Sequence, residues 1–180
     1  LGISKEDHII IYDNSNVISS CRCWYNFIYF GHDPKLVSVL DGGFRKWKKE
    51  SKTTSNEIIK FSKTEYMGKE LTSLVKDKVE INNNISKKDF VVIDARSKER
   101  FEGKVPDPRK NVRSGSIPNS ICLPFVKVIN EDYSFKNVAQ LKSLFENTLE
   151  KPTDKPIFSC GSGVNAVSYT HLTLPTTHDV

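Results

Sequence analysis

Cys160 is the residue of this 180-residue chain best placed to do chemistry. It follows a short apolar run, Pro156-Ile157-Phe158-Ser159, and opens the loop Cys160-Gly161-Ser162-Gly163-Val164-Asn165. Two glycines let a chain curl tightly, so successive backbone N–H groups can point inward around a sulfur. A helix starting after the loop would add its positive end. Both effects favour thiolate, the nucleophilic form of cysteine. The competing reading is a buried, inert cysteine beside a helix cap. A strand-end position before a glycine loop favours the reactive thiol. A phosphatase loop needs an arginine six positions after its cysteine, and here that position is Ala166, with no Arg anywhere after Cys160. Phosphoryl transfer lacks its clamp.

Arg100 and Arg109 bracket residues 101–108, FEGKVPDP. Two guanidinium forks on one Pro- and Gly-containing segment suit a small carboxylate. The alternative is a pair of surface arginines matched with Glu99, Glu102 or Asp107, and the spacing alone leaves the two readings level.

These side chains need a scaffold, and the apolar pattern supplies one. Residues 8–12, 36–40, 90–93, 120–123 and 156–159 read as strands of β-branched and apolar residues. Residues 17–30 repeat apolar side chains at helical spacing (Val17, Cys21, Trp24, Phe27, Ile28) and stop at Gly31. Residues 44–50, 70–79 and 138–149 are the other expected helices, with Leu141, Leu144, Phe145 and Leu149 inward on the last. Asn82-Asn83-Asn84 reads as a loop, and 97–118 as irregular. The polar stretch 51–64 reads as a linker. Strands alternating with helices indicate α/β architecture with parallel sheets. A weak internal repeat adds that HIIIYDNSN and KPIFSCGSG share one plan, with Asp13 where the second copy has Cys160. Ligands of open α/β sheets bind at such carboxyl strand ends.

Bulk properties exclude other classes. No apolar run approaches the ~20 residues of a membrane helix. The net charge of +5 is scattered, and the clusters Arg45/Lys46/Lys48/Lys49 and Lys87/Lys88 are not interleaved with aromatics, so no nucleic-acid partner is expected. Cys21-x-Cys23 is too tight for a zinc knuckle, and His8, His32, His171 and His178 show no ligand spacing, so no metal is expected. Four irregularly spaced cysteines suit a reducing compartment. Cys21, Cys23, Trp24 and Trp47 read as packing residues, Cys122 as buried, and His32 as a helix-end cap. The chain begins without Met, just before a strand, and is expected to lack its original start.

Several long motifs in order carry a resemblance. CRCWYNFIYFGHDPKLVSVLDGGFRKW resembles the non-catalytic domain of two-domain rhodaneses and 3-mercaptopyruvate sulfurtransferases. VVIDARSKERFEGKVPDPR, SGSIPNSICLPF and CGSGVNA resemble the catalytic domain of that family. The resemblance implies tandem rhodanese-like α/β domains, each a parallel sheet flanked by helices and each incomplete here. Residues 1–50 would be the C-terminal half of the non-catalytic domain, 51–64 the linker and 65–167 the truncated catalytic domain. Residues 168–180, Thr-rich with Pro175, are expected to be non-native and poorly ordered.

The resemblance further implies a ping-pong sulfurtransferase. Cys160 would take a sulfur from a small-molecule donor as a persulfide and pass it to thioredoxin, another thiol or cyanide. Ser162 in place of a basic loop residue points to 3-mercaptopyruvate. Arg100 and Arg109 would bind its carboxylate and keto group, and Ser162 would assist proton transfer. Gly161, Gly163 and Val164 would contribute backbone N–H groups. No cofactor and no membrane are implied, and a cytoplasmic or mitochondrial location is. Asp13 would leave the first loop silent. Asn165 stands where the family usually has Thr. The alternatives are a thiosulfate sulfurtransferase and a non-catalytic rhodanese-like binding module. A parallel sheet without its flanking elements exposes apolar faces and edges, so this piece is expected to be less competent than an intact parent.

Overall fold

A computed structural model describes residues 2–16, 18–149 and 155–173. The strands fall into two sheets. β1 (Ile9–Ile11) pairs in parallel with β2 (Val37–Val39), Ile9 opposite Val37. β3 (Val91–Asp94) is the centre of a second parallel sheet, between β4 (Ile121–Cys122) and β5 (Pro156–Ser159). Parallel pairs require crossovers. α1 (Ser20–Tyr29) makes the first, and α5 (Val138–Thr148) lies between β4 and β5. α2 (Gly43–Lys49) follows β2, and the short α4 (Lys98–Phe101) follows β3. α6 (Ala166–Thr173) starts after the Cys160 loop. The expected α/β architecture of parallel sheets flanked by helices is therefore present.

Each half has its own core. Cys21, Trp24, Tyr25 and Ile28 form the buried stripe of α1 and pack on Ile11 and Val37. Ile93, Ala95, Leu123, Val128 and Tyr169 form the second cluster, against which Leu141, Leu144, Phe145 and Leu149 pack from the α5 segment. Helices α1 and α6 join the halves, and Val167 of α6 inserts into the first cluster. Asp41, in the turn after β2, accepts from Phe135 N at 2.8 Å and adds a polar tie.

Several expectations need correction. Residues 70–79 do not form one helix: a single 3₁₀ turn at Thr72–Leu74 precedes α3 (Lys78–Lys87). The expected Asn82-Asn83-Asn84 loop lies inside α3. A capping box starts this helix, Asp77 accepting from Glu80 N and Glu80 accepting from Asp77 N. Asn84 is buried because its side chain bonds both the N–H and the C=O of Phe90, tying α3 to β3.

The 168–180 segment was expected to be poorly ordered, but residues 168–173 continue α6, and Tyr169 is fully buried with its hydroxyl donating to Leu123 O at 2.5 Å. Residues 174–180 lie outside the described part. Cys23 is exposed, because it lies off the buried stripe that carries Cys21. Trp47 is only half-buried; its Nε1 donates to Thr53 O at the surface. Cys122 is half-buried. His32 is buried between segments, one ring nitrogen against Tyr66 Oη at 2.9 Å and the other against Asp7 O at 3.1 Å. No helix among the described residues is long and apolar enough to cross a membrane.

Candidate active site

β5 delivers Cys160 at its carboxyl end, and the loop turns immediately. Gly163 takes a left-handed conformation, φ 74°, which brings its N–H back onto Cys160 Sγ at 3.0 Å. This is the backbone donor that the structure places on the sulfur. The Gly161 carbonyl accepts from Arg109 Nη1, so Gly161 faces the arginine through its oxygen. Among the described residues, the Val164 N–H makes no hydrogen bond to Sγ.

The 97–118 segment folds back over this loop. Arg96 and Asp94 anchor it: Arg96 Nε and Nη2 grip the Asp94 carboxylate, and Nη2 also donates to Gly115 O at 2.7 Å. Asp94 and Arg96 are both largely buried, and Asp94 raises the Arg96 pKa further. A short turn of helix then sets Arg100 facing the loop, and Arg109 returns from the far side.

Asp107 is the pivot. Its side chain is 1% exposed and bonds both guanidinium groups, Arg100 Nη2 at 2.5 Å and Arg109 Nε at 2.9 Å. Hydrogen bonds from Arg109 and then Arg100 hold its carboxyl far below the usual carboxylate range. Arg109 is raised in turn, mostly by Asp107, with a smaller contribution in the same direction from Cys160. Sequence reasoning treated Asp107 only as a surface partner for the arginines. It is instead a buried clamp that fixes both of them beside the sulfur loop.

The two guanidinium groups meet over Gly161. A Cβ at that position would lie 2.9 Å from Arg100 Nη2 and 3.0 Å from Arg109 Nη2. A side chain at that position would therefore push both guanidinium groups aside. The arginines, Cys160, Gly161, Ser162 and Asn165 line one open recess of about 440 Å³. Arg100 Nε is buried and has no hydrogen-bond partner. Asn165 and Phe125 also reach this recess, although sequence reasoning gave neither a site role. Asn165 was legible as a loop member, whereas Phe125 reaches the recess through β4 pairing that local pattern does not show.

The first half has a matching loop. Asp13 lies just past β1, and its carboxylate accepts from Ser15 N at 3.1 Å, Ser20 N at 2.6 Å and Ser19 Oγ at 3.0 Å. Burial opposes its ionisation, yet these bonds together carry its pKa below the usual value. Donor groups thus meet a strand-end side chain in both halves, three of them at Asp13 and the Gly163 N–H at Cys160.

The Rhodanese-like domain family model matches residues 1–50 and 77–177. The chain belongs to the rhodanese-like domain family. It is 36% identical to 3-mercaptopyruvate sulfurtransferase of Mus musculus, over 92% of this chain and 56% of that protein. It is 35% identical to the mitochondrial thiosulfate/3-mercaptopyruvate sulfurtransferase 1 of Arabidopsis thaliana, over 92% of this chain and 49% of that protein. The solved Tum1 protein of Saccharomyces cerevisiae superposes with a TM-score of 0.83 at 26% identity, covering 95% of this chain and 61% of that one. SseA of Escherichia coli, described with the rhodanese fold of 3-mercaptopyruvate sulfurtransferases, gives 0.81 at 25% identity, covering 97% and 65%. This rhodanese-family chain spans about half the length of the curated relatives it matches.

Proposed function

We propose that this chain carries the sulfur-handling site of a sulfurtransferase that takes sulfur from 3-mercaptopyruvate and hands it to a thiol or cyanide. One observation carries the reading: Cys160 Sγ receives the Gly163 N–H while Asp107 holds Arg100 and Arg109 beside the same loop. An anionic sulfur and an anionic substrate are thus both provided for.

The steps balance simply. The Cys160 thiolate attacks the donor sulfur, the new S–S bond forms, and the donor C–S bond breaks. The electron pair leaves with carbon as the enolate of pyruvate, which takes up a proton. Arg100 and Arg109 bind the donor carboxylate and keto oxygen and stabilise that charge, and Ser162, which lines the same recess, assists the proton. An acceptor thiolate then attacks the outer sulfur, the Cys160 S–S bond breaks, and the thiolate returns. Mitochondrial or cytoplasmic thiols, thioredoxin among them, are suitable acceptors. Residues 1–50 act as the silent non-catalytic half, 51–64 as the linker, and 65–167 as the half that carries the chemistry.

Thiosulfate is the second donor reading, favoured by 33% identity to thiosulfate sulfurtransferase of Bos taurus. The loop argues for mercaptopyruvate, since Ser162 brings a hydroxyl where a dianion would want charge. Steady-state turnover with each donor, at varied acceptor, tests the assignment. Parallel-line ping-pong kinetics with higher kcat/KM for 3-mercaptopyruvate are expected. A strong thiosulfate preference would reverse the donor assignment, and turnover with neither would leave the binding-module reading.

A further inference from the structure

Cys160 is reached from two sides. The first is the recess of Arg100 and Arg109. The second is a cleft of about 600 Å³ between the halves, lined by Arg22, Tyr25, Tyr29, Leu74, Cys160 and Gly163 among others. Two cations border this cleft. Lys76 is matched by Glu80 at 2.6 Å. Arg22 has no carboxylate partner among the described residues; its guanidinium lies over the Tyr25 ring, 5.6 Å from the centroid.

The position of Arg22 follows from the fold. Buried Cys21, Trp24 and Ile28 fix the rotation of α1, so Arg22 stands on its exposed side. α1 packs against α6, which starts just after the Cys160 loop, and this leaves Arg22 beside that loop. A Cβ at Gly163 would lie 3.4 Å from Arg22 Nη1. Gly163 is the residue whose N–H binds the sulfur, so a guanidinium of the other half borders the nucleophile's own loop. Arg100 and Arg109 share the Asp107 carboxylate, which leaves that cluster one net positive charge. Arg22 adds a full, unmatched charge on the opposite side, against an apolar wall that focuses its field.

We propose that Arg22 is a specificity-determining residue, which draws small anionic sulfur carriers through the cleft between the halves onto Cys160. The proposal rests on the sulfurtransferase reading of Cys160. The shared chemistry is a compact anion: a carboxylate-bearing thiol, sulfite or cyanide. The non-catalytic half then contributes to substrate choice, with Tyr25 holding the guanidinium at the rim.

The test compares alkylation of Cys160 by iodoacetate and by iodoacetamide, which differ mainly in charge. Rates are read at the Cys160 peptide, at low salt, in the native protein, R22K and R22Q. R22Q is expected to lower the iodoacetate-to-iodoacetamide ratio roughly fivefold. R22K should keep most of it, and added salt should erase the native advantage. An unchanged ratio in R22Q, or equal slowing with both reagents, would overturn the proposal, since a packing role predicts no charge selectivity. Ping-pong kinetics then assign the source: a lower kcat/KM for the donor or for an anionic acceptor, with a neutral thiol acceptor unaffected. Alkylation needs only the thiol. A changed ratio without sulfur transfer would therefore sink the sulfurtransferase reading alone. An unchanged ratio in an enzyme that transfers sulfur would sink the role of Arg22 alone.

Discussion

The Asp13 and Cys160 loops are the same device in two states. Each follows a parallel strand, and each aims donors at the strand end. Around Asp13 the device is filled by the chain itself: three donors meet a permanent carboxylate, and the adjoining cavity is about 10 Å³, room for about one water. Around Cys160 one N–H meets a single sulfur, two guanidinium groups stand beside it, and the recess is about 440 Å³. A covalently attached anion satisfies the cradle and makes it structural. A single sulfur atom leaves the cradle open and faces a recess. The difference between scaffold and site is therefore occupancy, not backbone plan.

Substitutions sharpen this contrast. Cys160→Ser should abolish sulfur uptake, read by donor consumption, while thermal unfolding stays close to that of the native protein. Gly161→Ala comes next. Its Cβ displaces the two guanidinium groups, and donor kcat/KM should fall on the order of a hundredfold because a misplacement near 1 Å is enough. The obstructing atoms are the far ends of flexible side chains, so the midpoint of unfolding should move little.

Asp107→Asn removes the clamp and should lower donor kcat/KM roughly tenfold. The pH direction follows from its lowered pKa. The contribution of the Arg100–Asp107–Arg109 bridge is present above the ordinary carboxylate value of 3.8 and is lost only as pH falls through the lower folded-state value. Geometry at the recess should thus persist when ordinary carboxylates protonate, measurable by NMR of the arginine Nε–H groups.

In the other loop, Asp13→Ala should do the reverse, costing about 1 kcal/mol of stability with donor kcat/KM nearly intact. The reason is local: Ser19 gives α1 no side-chain cap, and Asp13 bonds the Ser20 N–H in its place. A large loss of activity in Asp13→Ala would break the comparison. The smallest effect concerns Cys21, whose thiol is pushed up to about 12, first by burial and then by Asp13. At pH 8 iodoacetamide should label Cys160 and exposed Cys23 and spare Cys21 until the protein unfolds.

The strand–loop–helix around Cys160 was legible because its cues are local: an apolar run, a cysteine, two glycines. The arginines were legible as a pair, but their shared anchor was not. Asp107 becomes buried only when the 97–118 segment folds back, a long-range event. Helix α3 was hidden by three consecutive asparagines, although Asp77 and Glu80 announced its start. The order of residues 168–173 was misjudged from Thr content and Pro175, because the burial of Tyr169 depends on packing against residues distant in sequence. Trp47 shows the opposite error: a large apolar residue need not be a core anchor. Arg22 was noticed only as part of a motif, since the approach of α1 to the loop is a contact between halves.

The most direct test of the account is mass spectrometry of the Cys160 peptide after brief exposure of the reduced protein to 3-mercaptopyruvate. The account predicts one added sulfur atom on Cys160, lost again on addition of a thiol acceptor and absent from Cys21, Cys23 and Cys122. A folded protein whose Cys160 stays unmodified, or whose sulfur appears on another cysteine, would contradict it.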